Sequence, residues 1–151
     1  MESVLNAWKT SRKIYLKFFD NYSSDQLNKI PDGFNNNLIW NIGHVIVVQQ
    51  SVIYKGSSLP MYIPDDLFNQ YKPGTKPAGT VSTSEASKLK ELLISLIAKT
   101  EADLQKGLFT TYNERTLSIG FHLASIKDAF EFNNYHEAMH LGYMMSIKKF
   151  V

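Results

Sequence analysis

The chain contains no cysteine. That absence excludes a disulfide framework, a thiolate zinc site and a cysteine nucleophile of the protein's own, so any thiol chemistry has to arrive with a substrate. An excess of one charge is missing as well: 16 basic residues stand against 14 acidic ones, and Arg12-Lys13 and Lys148-Lys149 are the only adjacent basic pairs. Without a basic patch there is no electrostatic footprint for nucleic acid or for an anionic membrane, and neither is expected as a partner. The start, Met1-Glu2-Ser3-Val4, lacks the basic residues and apolar run of a signal peptide, which points to the cytoplasm. A stretch free of Asp, Glu, Lys and Arg runs from Gly33 to Tyr54, but Asn35, Asn36, Asn37, Asn41, His44, Gln49 and Gln50 make it too polar to span a bilayer. It predicts a buried helix.

The 151 residues are 44% hydrophobic and 20% charged, the composition and size of one globular domain over residues 1–151. Val4, Trp8, Tyr15, Phe18 and Tyr22 recur at helical spacing and predict a first helix over 4–22, followed by a short turn from Ser24 to Pro31-Asp32-Gly33. One of Asn35, Asn36 or Asn37 caps a second helix, about Leu38 to Tyr54, which is apolar nearly all round and is therefore either central or covered by another subunit. Prolines and glycines punctuate 55–83, where only Pro64 to Tyr71 suits a helical turn; a connection this long can cross a bundle and leave the second and third helices parallel. Ser82 and Glu85 form a capping box that opens a third helix up to Gly107. After an irregular stretch from Leu108 to Leu123, Ser125 opens the fourth, which carries Phe130, Met139, Tyr143 and Ile147. Four long helices and no convincing strand predict an all-α four-helix bundle.

Chemistry concentrates in the last helix. His136 and His140 lie four residues apart, which puts both imidazoles on one helical face, about 6 Å apart along the axis, where they can share one metal ion. His136-Glu137-Ala138-Met139-His140 is also the HExxH string in which the glutamate serves as general base, although its place beside His136 equally suits a solvated helix residue. Residues 141–151 contain no His, Asp, Glu or Cys, so a third ligand lies upstream. His44 is the candidate, because an imidazole among Ile42, Val45 and Val48 is costly to bury unless something satisfies it. The competing view makes His44 a hydrogen-bonded core residue and the HExxH spacing chance. His122 lacks the helical spacing of the pair and is set aside.

Asn41 and Asn133 each stand one turn before a histidine and are candidates to orient an imidazole; Tyr62, Tyr71 and Tyr112 are candidates to line a pocket mouth. The Lys72-to-Pro77 segment does not match a phosphate loop, and neither a nucleophile elbow nor a dinucleotide fingerprint is present.

Two segments, Ile39-Trp40-Asn41-Ile42-Gly43-His44 and Asn134-Tyr135-His136-Glu137-Ala138-Met139-His140-Leu141-Gly142, resemble the DinB-like, YfiT-like superfamily of metal-binding four-helix bundles. The resemblance extends over essentially the whole chain. It implies an up-down-down-up bundle, a homodimer, and a zinc- or nickel-type divalent site on His44, His136 and His140. Any carboxylate that a relative places on the second helix has no counterpart here, since no acidic residue follows until Asp65. Activation of a low-molecular-weight thiol for transfer to a small electrophile is the leading activity it implies. Hydrolysis by a metal-bound hydroxide, or a metal-binding stress-response module without turnover, are the alternatives. Three neutral imidazoles leave a divalent ion its full charge and an open position, which suits either chemistry.

Overall fold

The computed structural model describes residues 1–151. Six helices and one small hairpin follow in order: α1 (Glu2–Asn21), α2 (Ser24–Asn28), α3 (Leu38–Gln49), α4 (Asp65–Tyr71), α5 (Thr83–Gln105), β1 (Arg115–Thr116), β2 (His122–Leu123) and α6 (Ile126–Ile147). α1, α3, α5 and α6 are the four long helices of a bundle in which α1 and α3 each pack against both α5 and α6.

The direction of each helix follows from its side-chain partners. α1 runs parallel to α6, since Asn134 reaches the Val4 carbonyl and, further along both helices, Trp8 and Arg12 reach Glu137. α5 opposes α1, with Lys9 on Glu101 at one end and Asp20 on Lys90 at the other. α3 runs parallel to α5, where Gln49 meets Thr100 and, just beyond α3, Tyr54 meets Asp103. Up-down-down-up is the result, with the 55–82 connection crossing the bundle to join two parallel helices.

Local chemistry sets the boundaries. Ser82 and Glu85 form the reciprocal capping box of α5, Ser23 and Gln26 form a second one on α2, and Ser125 accepts from the Asp128 amide to open α6. Of the three asparagines before α3, Asn37 is the cap, accepting from the Trp40 amide at 2.9 Å.

Every residue of α3 is buried. The apolar surplus that allowed for a second subunit is covered by the chain's own α2, α4, α5 and α6. The helix expected to reach Tyr54 also changes form: Gln50–Tyr54 is a π-helical turn, closed by the Lys55 amide on the Gln50 carbonyl, and a 3-10 turn follows over Lys55–Ser57. Such wide turns inside α-helices recur beside functional sites. The stretch expected to be irregular holds the one departure from an all-helical chain, β1 paired antiparallel with β2, with Arg115 opposite Leu123 and Thr116 opposite His122. Gly120, at φ +92, closes that hairpin in a backbone conformation that side-chain-bearing residues rarely adopt.

Candidate metal centre

His44 comes from the middle of α3, and His136 and His140 from successive turns of α6. One nitrogen from each of the three lies within 4.8 Å of the others. Zinc–imidazole bonds are about 2.0–2.1 Å long, so nitrogens this close together can converge on one ion. His44 and His136 are buried and His140 is half-buried.

Each ring is held in place. His44 stacks on Trp40, centroids 4.7 Å apart and planes 14° from parallel, and its Nδ1 lies 2.7 Å from the Tyr71 carbonyl oxygen. A carbonyl only accepts, so Nδ1 carries the proton and Nε2 keeps its lone pair. His140 is fixed by the same logic through a side chain. Asn41 donates its amide to Asn36 Oδ1 and to the Asn37 carbonyl, which turns its own Oδ1 towards His140 Nδ1 at 2.8 Å. His136 lies against Phe132, and its buried Nδ1 has no partner within the protein. An unpartnered buried imidazole nitrogen beside two rings with free Nε2 lone pairs is a donor set that fits a divalent ion.

Electrostatics agree with ligation. Burial, and then the neighbouring imidazoles, push His136 down to about 2 and His140 down to about 3, and burial lowers His44 as well. All three are neutral at pH 7 with their lone pairs available.

Gly43 makes the His44 arrangement possible. A Cβ at that position would overlap the Tyr71 ring, so only glycine lets the end of α4 sit close enough for the Tyr71 carbonyl to reach the imidazole. Of the three tyrosines considered for a pocket mouth, none lines the cavity at the histidines. Tyr71 serves through its backbone, Tyr62 donates to Asp103 and Tyr112 donates to the Val52 carbonyl.

Glu137 occupies neither of the places expected for it. Its carboxylate is fully buried on the side of α6 that faces α1, where Trp8 Nε1 donates at 2.7 Å, Arg12 Nε and Nη2 at 2.8–3.0 Å, and Asn133 Nδ2 at 3.0 Å. Tyr15 adds a hydrogen bond to the Glu137 carbonyl at 2.7 Å. The residue is neither solvated nor turned towards the histidines; it fastens the helix that carries His136 and His140 to α1. Asn133 therefore holds Glu137 rather than His136, and Asn41 holds His140 rather than the histidine of its own helix. His122 is exposed on the outer face of the hairpin, bonded to Thr116 and paired with Glu114, away from the cluster.

The histidines open into a cavity of about 310 Å³. Val48, Val52, Phe132 and Met139 supply apolar walls, and the hairpin covers it with Arg115, Leu117, Ser118 and Ile119. No aspartate or glutamate lines it. The fold and the site together define a helical bundle with a three-histidine cluster that can hold a metal ion. A family model described as the DinB superfamily matches residues 7–144, and the chain belongs to that superfamily. No curated protein matches it significantly. No helix is long and apolar enough to cross a membrane.

Proposed function

We propose that this protein is a metal-dependent enzyme that activates a small thiol for transfer to an electrophile. The observation that carries the reading is the pairing of three neutral imidazoles with a cavity that contains no carboxylate. A divalent ion of the zinc or nickel type, held by His44, His136 and His140, supplies positive charge that favours a thiolate over a thiol in its open position. The chain's own part is to fix the ligands and to shape the space around them. Tyr71 and Asn41 hold the two Nδ1 protons, so His44 and His140 present Nε2 without a rotational search. Val48, Val52, Phe132 and Met139 line the reacting end with apolar surface, beside which an anion gains more from nearby positive charge than it does in water.

Metal-dependent hydrolysis is the weaker reading, because a base is wanted to take the proton of water and the one glutamate of the HExxH string is committed to Arg12. The test is to load the protein with nickel, add several cellular thiols, and follow both the metal–thiolate absorption and conjugation to a model electrophile. Thiol-dependent turnover that disappears on His140→Ala is the expected result. Metal-dependent cleavage of an ester or amide in a protein that binds no thiol would overturn the proposal.

A further inference from the structure

Among the residues that line the cavity, Arg115 alone carries a full charge. The register of the hairpin accounts for its direction: Arg115 pairs with the buried Leu123, whereas Thr116 and His122 form the solvent face. An arginine facing inward ordinarily meets a carboxylate, since burying an unpaired guanidinium is costly. Arg115 takes part in none of the ion pairs of the protein. Its Nε is buried with no partner, and its Nη2 reaches the Ser51 carbonyl only at 3.4 Å. The Tyr112 phenol beside it accepts from the guanidinium while giving its own proton to the Val52 carbonyl. A guanidinium has five N–H donors in a planar fork, and the acceptors the chain offers here, the Ser51 carbonyl and the Tyr112 phenol oxygen, leave Nε unpaired. Ser51 and Ser118 add hydroxyl groups to the same cavity.

We infer that Arg115 is a specificity-determining residue, which binds an anionic oxygen group, a carboxylate or a phosphate-like group, on the ligand whose reactive end sits at the three histidines. The fork geometry matches such groups through two parallel N–H···O bonds, which a lysine cannot reproduce. The guanidinium donors that Ser51 and Tyr112 leave free supply them. Neutral or cationic ligands of the same size leave the arginine unpaired and are discriminated against. The inference rests on the proposed use of the cavity as a thiol-binding site, and its test separates the two.

Nickel-loaded wild type, Arg115→Lys and Arg115→Gln, each checked for a cooperative melt and full metal content, are titrated with 2-mercaptoethanol, 3-mercaptopropionate and cysteamine by metal–thiolate absorption. The zinc-loaded forms are titrated calorimetrically with butyrate and with methylphosphonate. In the wild type the acidic thiol is expected to bind about tenfold or more tightly than the neutral one, the gain typical of a charge-assisted hydrogen bond, and cysteamine is expected to bind weakest. Arg115→Gln should erase the preference and Arg115→Lys should keep part of it. Butyrate and methylphosphonate should compete for the same arginine, and their relative affinities tell a carboxylate from a phosphate-like ligand. Equal binding of the three thiols by the wild type would overturn the inference and leave the thiol reading standing. A preference that survives Arg115→Gln would also overturn it, by assigning selection to the charge of the metal. If no thiol binds, the thiol reading falls; binding of butyrate or methylphosphonate that is lost in Arg115→Gln would then still support the arginine's role, and absence of that binding would sink both.

Discussion

Glu137→Gln is expected to lower the stability of the fold by about 3–5 kcal/mol, the range found when one partner of a buried ion pair is removed. The amide keeps the shape of the side chain but leaves the Arg12 guanidinium, itself fully buried, without a counter-charge. For a domain of this size each kcal/mol moves the melting temperature by roughly 2–4 °C, so the shift is on the order of 10 °C. Arg12→Leu should do similar damage from the other side. The double variant Arg12→Leu, Glu137→Leu should recover much of the loss, because the two effects share one cause and do not add. Thermal melts of the four proteins provide the check. A Glu137→Gln protein that melts like the wild type but has lost all turnover would instead make the glutamate a general base, and the reading of α6 given above would be wrong.

His44→Ala should remove most of the bound metal while leaving the chain helical, as should His136→Ala and His140→Ala. His122→Ala should leave metal content unchanged, because that ring faces solvent beyond the hairpin. Asn41→Ala is expected to weaken metal affinity about 10- to 100-fold, the usual cost of losing a group that orients a ligand. Elemental analysis of untagged protein reads all five. Stoichiometric metal retained in His44→Ala would require another third ligand.

The same histidines give the metal-free protein a pH dependence of definite sign. In the unfolded chain an imidazole titrates near 6.5, whereas burial holds His136 near 2 and His140 near 3 in the fold. Below about pH 6.5 the unfolded state therefore binds protons that the folded state refuses, and stability falls as the pH is lowered from there. Denaturant midpoints of metal-free protein at pH 7.5 and pH 5 should show that loss, and His136→Ala should reduce it.

The parts of this molecule that were legible in its sequence are those that repeat or cap. Apolar spacing gave the long helices, Ser82 with Glu85 and Ser125 gave the starts of α5 and α6, and the i, i+4 histidines with one histidine in an apolar run pointed to the residues now found together. The parts that were not legible depend on direction or on backbone. Glu137 sits one residue after His136, about 100° further round the helix, but only about 60° from His140, so spacing alone could not tell whether its carboxylate joins the histidines or, as it does, turns to Arg12 on α1. The stripe of α1 held a warning of its destination, since Arg12 falls at helical spacing between Trp8 and Tyr15 and is as buried as they are. The Tyr71 carbonyl could not be anticipated from residue type, since every residue carries one; Gly43 directly before His44 was the only trace of it. Arg115 lay in a stretch whose strands are two residues long, too short for any alternation to appear.

The wide turn at Gln50–Tyr54 lets this helical arm carry one residue more than an α-helix spanning the same distance. Ahead of it His44 faces α6, and at its end Tyr54 donates to Asp103 on α5. A turn closed over five residues sweeps about the same angle as an α-turn closed over four. Deleting one residue inside it would therefore let ordinary α-helical bonding resume with the two ends nearly in phase. The extra residue is absorbed as a local swelling, an insertion that leaves the directions on either side of it unchanged.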